Sequence, residues 1–154
     1  MLDNLKLLAK RLITSRRHSG AGEGLSLWRL IRQGLPYYFN PRGFARPPLT
    51  LFIGINGRCN LRCRMCDVGQ QNTESMFYQN LVGPDKADFP LERFKTLMDE
   101  VQAYRPYVGL TTTEPLLYPY IFDAVRYAGQ KGLRMNISTN GVLVERFAEE
   151  IVDS

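Results

Sequence analysis

Three cysteines, Cys59, Cys63 and Cys66, fall within eight residues, and the 154-residue chain holds no others. With no partner elsewhere, the run points to a metal site rather than a disulfide framework. Whatever the fold, it must present one short loop on which three thiolates can face a common centre. A cubane iron–sulfur cluster has four irons and normally takes four cysteines. Three donors leave one iron with an open coordination position, which suits a cluster that binds something better than one that only carries electrons. Structural zinc takes four protein ligands in paired C-x2-4-C units. The single histidine, His18, lies far upstream in a basic segment, so zinc would have to recruit it or a carboxylate.

Around this loop the apolar pattern alternates between two periods. Residues 49–55 form a short apolar run that reads as a strand and leads straight into the cysteines. Residues 91–104 are apolar at 91, 94, 97, 98 and 101, the stripe of a helix, with Pro90 in its first turn and Pro106 closing it. Residues 107–112 read as a second strand. A second helix covers 120–131, with Ile121, Phe122, Val125 and Ala128 inward and Gly132 as its C-cap. Residues 133–138 form a third strand leaving through Asn140-Gly141, and a further helix begins over 144–152. The β-α-β-α-β-α order predicts an α/β fold with a parallel sheet and right-handed crossovers. In such folds the chemistry sits at the carboxyl ends of the strands.

Three stretches fall at those ends: the cysteine run, Thr112-Thr113-Glu114-Pro115, and Ser138-Thr139-Asn140-Gly141. The C-x3-C-x2-C run directly after an apolar strand resembles that of the radical S-adenosylmethionine (radical SAM) enzymes. The second stretch stands in place of the family's Gly-Gly-Glu-Pro. The third is similar to the Thr-Asn-Gly that ends the third barrel strand in many members. The resemblance covers residues 49–154. It implies the N-terminal portion of a partial (β/α)6 TIM-type barrel, about three βα units, preceded by a helical, basic extension. It further implies that Cys59, Cys63 and Cys66 hold a [4Fe-4S] cluster. S-adenosyl-L-methionine would bind the open iron and be cleaved reductively to a 5′-deoxyadenosyl radical that abstracts hydrogen from an unknown substrate. A one-electron donor such as flavodoxin or ferredoxin is the implied partner. By motif position, Met65 lies near the adenine and Glu114 beside the methionine ammonium. Thr112 and Thr113 supply nearby backbone groups, and Ser138 and Asn140 face the same opening.

Plainer readings stand beside these. Met65 also reads as loop packing, Glu114-Pro115 as a turn, and Asn140-Gly141 as an ordinary exit from a strand. Threonine where the family has glycine brings a β-branched side chain to a place of close backbone approach. Arg58, Arg62 and Arg64 either offset the cluster's charge or are simply solvated, while Gly54 and Gly57 would let the backbone bend around it. Residues 67–88 read as a long polar loop, expected to act as a lid in which Phe77 or Tyr78 shields the radical. A non-catalytic iron–sulfur or zinc-binding interaction module is the competing reading.

Composition sets the remaining limits. Apolar residues at 44% and charged residues at 23% describe a soluble chain with one moderate core. Charges interrupt every apolar stretch before a signal-peptide core or a membrane span forms, so a cytoplasmic, reducing location is expected. The basic charge is concentrated in residues 1–48, at net +7, against −2 for residues 49–154. This suggests a basic helical extension and Pro-rich linker over 1–48 and a radical SAM core over 49–154. Leu2, Leu5, Leu8, Leu12 and Ile13 mark a basic amphipathic helix that packs on the core; nucleic-acid or membrane-surface binding is the less favoured reading. A flexible break at 19–24 and a second helix over 25–33 follow. Pro36, Pro41, Pro47 and Pro48 then impose an extended approach, with Tyr37, Tyr38, Phe39 and Phe44 packed on the domain. Only three units and an unpaired third-strand edge suggest a piece of a longer protein.

Overall fold

Four-residue strands alternate with amphipathic helices in this computed structural model, which describes residues 27–39, 42, 45–82 and 88–154. The chain divides into two units, Met1–Pro47 and Pro48–Ser154. In the second unit β1 (Thr50–Ile53), β2 (Tyr107–Leu110) and β3 (Arg134–Ile137) form a small open parallel sheet in the order β1-β2-β3. The register sets Phe52 against Gly109 and Gly109 against Asn136. Each strand is shorter than its apolar run. Past Ile53, Leu110 and Ile137 the backbone leaves the ladder to build the loops of the site, although Ser138 N–H still donates to Leu110 O at 2.9 Å.

Before β1, in the first unit, lies α1 (Leu27–Phe39). Between β1 and β2 come α2 (Asp67–Gln70), α3 (Met76–Leu81) and α4 (Leu91–Val101), the last continued by a 3-10 turn at Gln102–Tyr104. Between β2 and β3 lies α5 (Ile121–Gln130), and α6 (Ala148–Asp153) follows β3. Side chains alternate across a strand, so Val108 and Leu110 face the helices while Tyr107 and Gly109 face away. Phe94 and Met98 of α4 and Ile121, Ala124 and Ala128 of α5 close over Val108 and Leu110, with Ile55, Leu116, Tyr118 and Leu133 completing the core. The opposite face is open: Phe52 is 73% exposed, its ring lying across Gly109, where a Cβ would come within 2.7 Å of it.

The end of α5 shows how local sequence stops a helix. Gly132 follows the cap residue Lys131 with φ +70°. Its N–H donates to Gly129 O at 2.9 Å, and Leu133 N–H donates to Ala128 O at 3.0 Å. This is the paired closure of a Schellman motif, which uses a left-handed residue. Lys131 Nζ then reaches Asp99 Oδ1 at 2.5 Å, and Tyr127 Oη donates to Asp99 Oδ2 at 2.8 Å, tying α5 to α4. Lys131 first and Tyr127 second hold the Asp99 carboxyl below its ordinary pKa.

Several expectations change. Pro36 lies inside α1, so the helix runs past residue 33 instead of giving way to an extended segment. Proline's own φ is helical, and the helix continues past Pro36 with one i→i−4 bond fewer, the one that Arg32 O would have accepted. Gln33 Nε2 donates to Pro47 O at 2.8 Å and so holds the following segment. Phe39, expected to pack, is exposed. Residues 67–88 are not one loop, because α2 and α3 occupy much of them. Asp67 accepts from Ser75 Oγ at 2.6 Å and from Asn72 Nδ2 at 3.2 Å, and Ser75 Oγ caps α3 by accepting from Tyr78 N–H. Pro90 is the N-cap of α4 rather than part of its first turn, and the last helix starts at Ala148 after a run of turns. The basic helix expected at 2–13, the break at 19–24, Phe44, residues 83–87 of the expected loop and the packing of Tyr37 and Tyr38 lie outside the described residues. No helix among the described residues is long and apolar enough to cross a membrane.

Two glycines of α5 should respond oppositely to alanine. Gly129 is helical with nothing within 4 Å of a Cβ, whereas Gly132 needs its positive φ. Gly129→Ala is expected to raise unfolding stability by about 0.5 kcal/mol and Gly132→Ala to lower it by about 1 kcal/mol, read by urea denaturation.

Candidate metal centre

The loops leaving β1, β2 and β3 meet at the carboxyl edge of the sheet, and a buried asparagine joins the first two. Asn56 is 4% exposed. Its Nδ2 donates to Glu114 O at 3.0 Å, its Oδ1 accepts from Arg58 N–H at 2.8 Å, and Thr113 Oγ1 lies 2.9 Å from that same oxygen. Glu114 N–H donates in turn to Arg58 O at 2.9 Å. Arg58 is therefore held by both backbone groups, and Cys59 is the next residue. Sequence reasoning missed Asn56. The signal was a polar residue set between the apolar β1 run and the cysteines, where a buried side-chain amide needs partners.

Glu114 joins the second and third loops. It is fully buried. Oε1 accepts from Leu116 N–H at 3.0 Å and Thr139 Oγ1 at 2.8 Å, while Oε2 accepts from Asn140 N–H at 2.8 Å. The motif position suggested a side chain beside a bound ammonium. Here the carboxylate faces inward and is taken up by donors of the protein itself. Thr112 adopts φ +91° with its β-branched side chain in place, and its Oγ1 donates to Thr111 O. Gly54 and Gly57 serve neighbours other than the cysteines. A Cβ on Gly54 would lie 3.0 Å from Thr112 Oγ1, and one on Gly57 only 2.6 Å from Leu81 O at the end of α3.

The cysteine loop is backed by α2. Cys59 and Cys63 are exposed and Cys66 is half-buried, all as free thiols. Cys66 is the N-cap residue of α2, and its N–H donates to Cys63 O at 3.1 Å. Gln70 Nε2 reaches back to Arg62 O at 3.1 Å and Cys63 O at 3.0 Å. A Cβ on Gly69 would sit 2.9 Å from Cys63 N, so helix and loop lie flush. Beside Cys66, hydrogen bonds from Ser75 and then Asn72 hold the Asp67 carboxyl below its usual range. Among the described residues no three His, Cys, Asp or Glu side chains are gathered in the geometry of a metal site. The three thiols share a loop without converging.

The structure brings Cys59, Thr113, Glu114 and Asn140 into one network. Asn140 Nδ2 donates to Asn60 Oδ1 at 2.7 Å and lies 3.9 Å from Cys59 Sγ. Met65 stands outside the network, 96% exposed, and Ser138 meets only Asn136 Oδ1 at 3.4 Å among the described side chains. The Arg58 guanidinium bonds Asp88 Oδ2 at 2.5 Å and Leu117 O at 3.0 Å, which ties it to neighbouring loops; Arg62 and Arg64 are exposed. A groove of about 380 Å³ beside Cys59 is lined by Tyr78 of α3, while Phe77 is exposed.

Substitutions in the second loop should separate strain from bonding. Thr112→Gly relieves a positive φ worth about 1–3 kcal/mol and loses about 0.5–1 kcal/mol of glycine entropy, so stability is expected to rise by about 1 kcal/mol. Thr113→Val removes only the hydroxyl on Asn56 and should lower it by about 1 kcal/mol. Glu114→Ala strands three donors and should cost about 3 kcal/mol, with faster amide exchange at Leu116 and Asn140. Urea denaturation and hydrogen-exchange NMR read both.

The sequence profile of the Radical SAM superfamily matches residues 53–154. The chain is 31% identical over 98 residues to the tungsten-containing aldehyde ferredoxin oxidoreductase cofactor-modifying protein of Pyrococcus furiosus, an overlap of 61% of this chain and 24% of that protein. It is 30% identical over 90 residues to the Fe-coproporphyrin III synthase of Methanosarcina barkeri, an overlap of 58% of this chain and 20% of that protein. The matched part thus spans a quarter or less of these relatives' length. Superfamily members bind a [4Fe-4S] cluster and S-adenosylmethionine, the two cofactors that the resemblance implies. With the profile covering well over half of its residues, the chain belongs to the radical SAM superfamily.

Proposed function

We propose that the chain is the cofactor-binding part of a radical SAM enzyme in which Cys59, Cys63 and Cys66 hold the [4Fe-4S] cluster. One observation carries this reading: three free thiols lie on the loop directly after β1, beside the ends of the other two strands. The donor set fits the group. Soft thiolates suit iron–sulfur clusters, and zinc would need a fourth protein ligand. Cys59 is pinned through Arg58, and Cys63 and Cys66 are backed by α2.

When bound, the cluster supplies the electron that cleaves S-adenosylmethionine to methionine and a 5′-deoxyadenosyl radical able to take hydrogen from a substrate. The protein's own groups bind and orient. Glu114 clamps the second and third loops. The backbone of Thr112 and Thr113, with Met65, Ser138 and Asn140, borders the cofactor, and Tyr78 of α3 lines the groove beside Cys59. An external one-electron donor such as flavodoxin or ferredoxin completes the system. The relatives' names, one modifying an enzyme cofactor and one making Fe-coproporphyrin III, support a substrate among cofactors or their precursors.

The strand order β1-β2-β3 with α4 and α5 on one face supports a partial (β/α)6 barrel. A doubly wound sheet would reverse its order and carry helices on both faces. Residues 49–154 make up this core and residues 1–48 its basic extension. Threonine in place of the family's glycine at Thr112 and Thr113, and the occupied Glu114, favour a second reading, a non-catalytic iron–sulfur or zinc-binding module.

Anaerobic reconstitution separates the two. The expected result is one four-iron cluster per chain whose electron paramagnetic resonance signal, once reduced, changes when S-adenosylmethionine is added. Replacing Cys59, Cys63 or Cys66 by Ala should abolish that signal. Stoichiometric zinc, or a cluster indifferent to the sulfonium compound, would sink the enzyme reading.

A further inference from the structure

Asn140 is oriented from three sides. Its backbone N–H is held by Glu114 Oε2 at 2.8 Å, and its Oδ1 accepts from Val142 N–H at 3.0 Å. With the carbonyl oxygen committed, the amide nitrogen has to face the other way, where Asn60 Oδ1 lies at 2.7 Å and Cys59 Sγ at 3.9 Å. An amide nitrogen carries two hydrogens, one for each of these acceptors. The sulfur it meets belongs to the cysteine that follows Arg58, whose own N–H and C=O are both bonded. The donor is thus aimed, and the backbone leading into the acceptor held, by the protein itself.

We propose that Asn140 is a positioning residue for the metal centre, donating an N–H···S hydrogen bond to the Cys59 thiolate and thereby raising the cluster's reduction potential. The inference rests on the assignment of Cys59 as a cluster ligand. Reduction adds one electron from an external donor and breaks no bond in the protein, so the negative charge on the sulfurs grows. A hydrogen bond to a ligating sulfur stabilises the more negative, reduced form, and such bonds are among the determinants of cluster potential. The buried Glu114 carboxylate acts through Asn140: by holding the backbone N–H it sets the turn that aims the side chain at the sulfur.

The experiment is an electron paramagnetic resonance-monitored redox titration of the reconstituted chain, native against Asn140→Ala and Asn140→Asp. The alanine variant removes the donor without adding charge. The aspartate variant keeps an acceptor for Val142 N–H, so the turn survives while the donor is lost. Both are expected to be harder to reduce, by about tenfold in the equilibrium for alanine, which is about 59 mV for one electron, and by more for aspartate because of its charge. The aspartate's charge shifts the potential in either case, so the alanine variant decides: a merely structural asparagine would leave its potential unchanged, and equal potentials in the native and alanine proteins overturn the proposal. A native chain that assembles no four-iron cluster overturns instead the ligand assignment on which the proposal rests.

Discussion

A buried carboxylate with every neighbour donating to it holds the site together. Glu114 lies at no solvent exposure and accepts from two backbone amides and one hydroxyl supplied by two different loops. Such a group taken out of water is tolerated only when fully bonded, so the two loops cannot separate without stranding it. Asn56 does the corresponding work between the first and second loops. Together they turn three strand ends, which ladder bonds alone would leave independent, into one rigid rim. Cys59 sits on that rim, whereas Cys63 and Cys66 belong to the segment fastened to α2.

Much of this was legible in the residues. The apolar stripe of 91, 94, 97, 98 and 101 marked α4, and Phe94 and Met98 are its buried members. The readings of 107–112 as a strand and of the glycine after α5 as a helix stop are both met in the structure. The placement of three motif stretches at strand ends followed from the order of elements alone. What escaped were features decided by contacts across long sequence separations. Glu114 reads as a cofactor contact from its motif and as a clamp from its neighbours, and those neighbours come from another loop. Gly57 reads as freedom near the cysteines, yet the atom that requires it is Leu81 O. The helices within 67–88 escaped because their stability comes from side-chain bonds of Asp67 and Ser75 rather than from an apolar period.

Thr112 shows where local preference yields to the surroundings. A β-branched residue with φ +91° is disfavoured by its own sterics. It persists because the backbone on either side is fixed, by the β2 ladder before it and by the Asn56 and Glu114 bonds after it. Gly54 opposite leaves room for the threonine side chain. Strain concentrated at one residue of a rim that is otherwise fully bonded is the pattern expected near a functional centre.

The sheet's two faces also differ in what they ask of the chain. Val108 and Leu110 are locked among helices, and that packing fixes which face of the sheet turns inward. Phe52, Tyr107, Arg134 and Asn136 point the other way and are exposed. In the proposed barrel, where helices form the outer ring, that side is the inner wall, so a substitution there would be felt first by whatever the barrel encloses and only later by the helices.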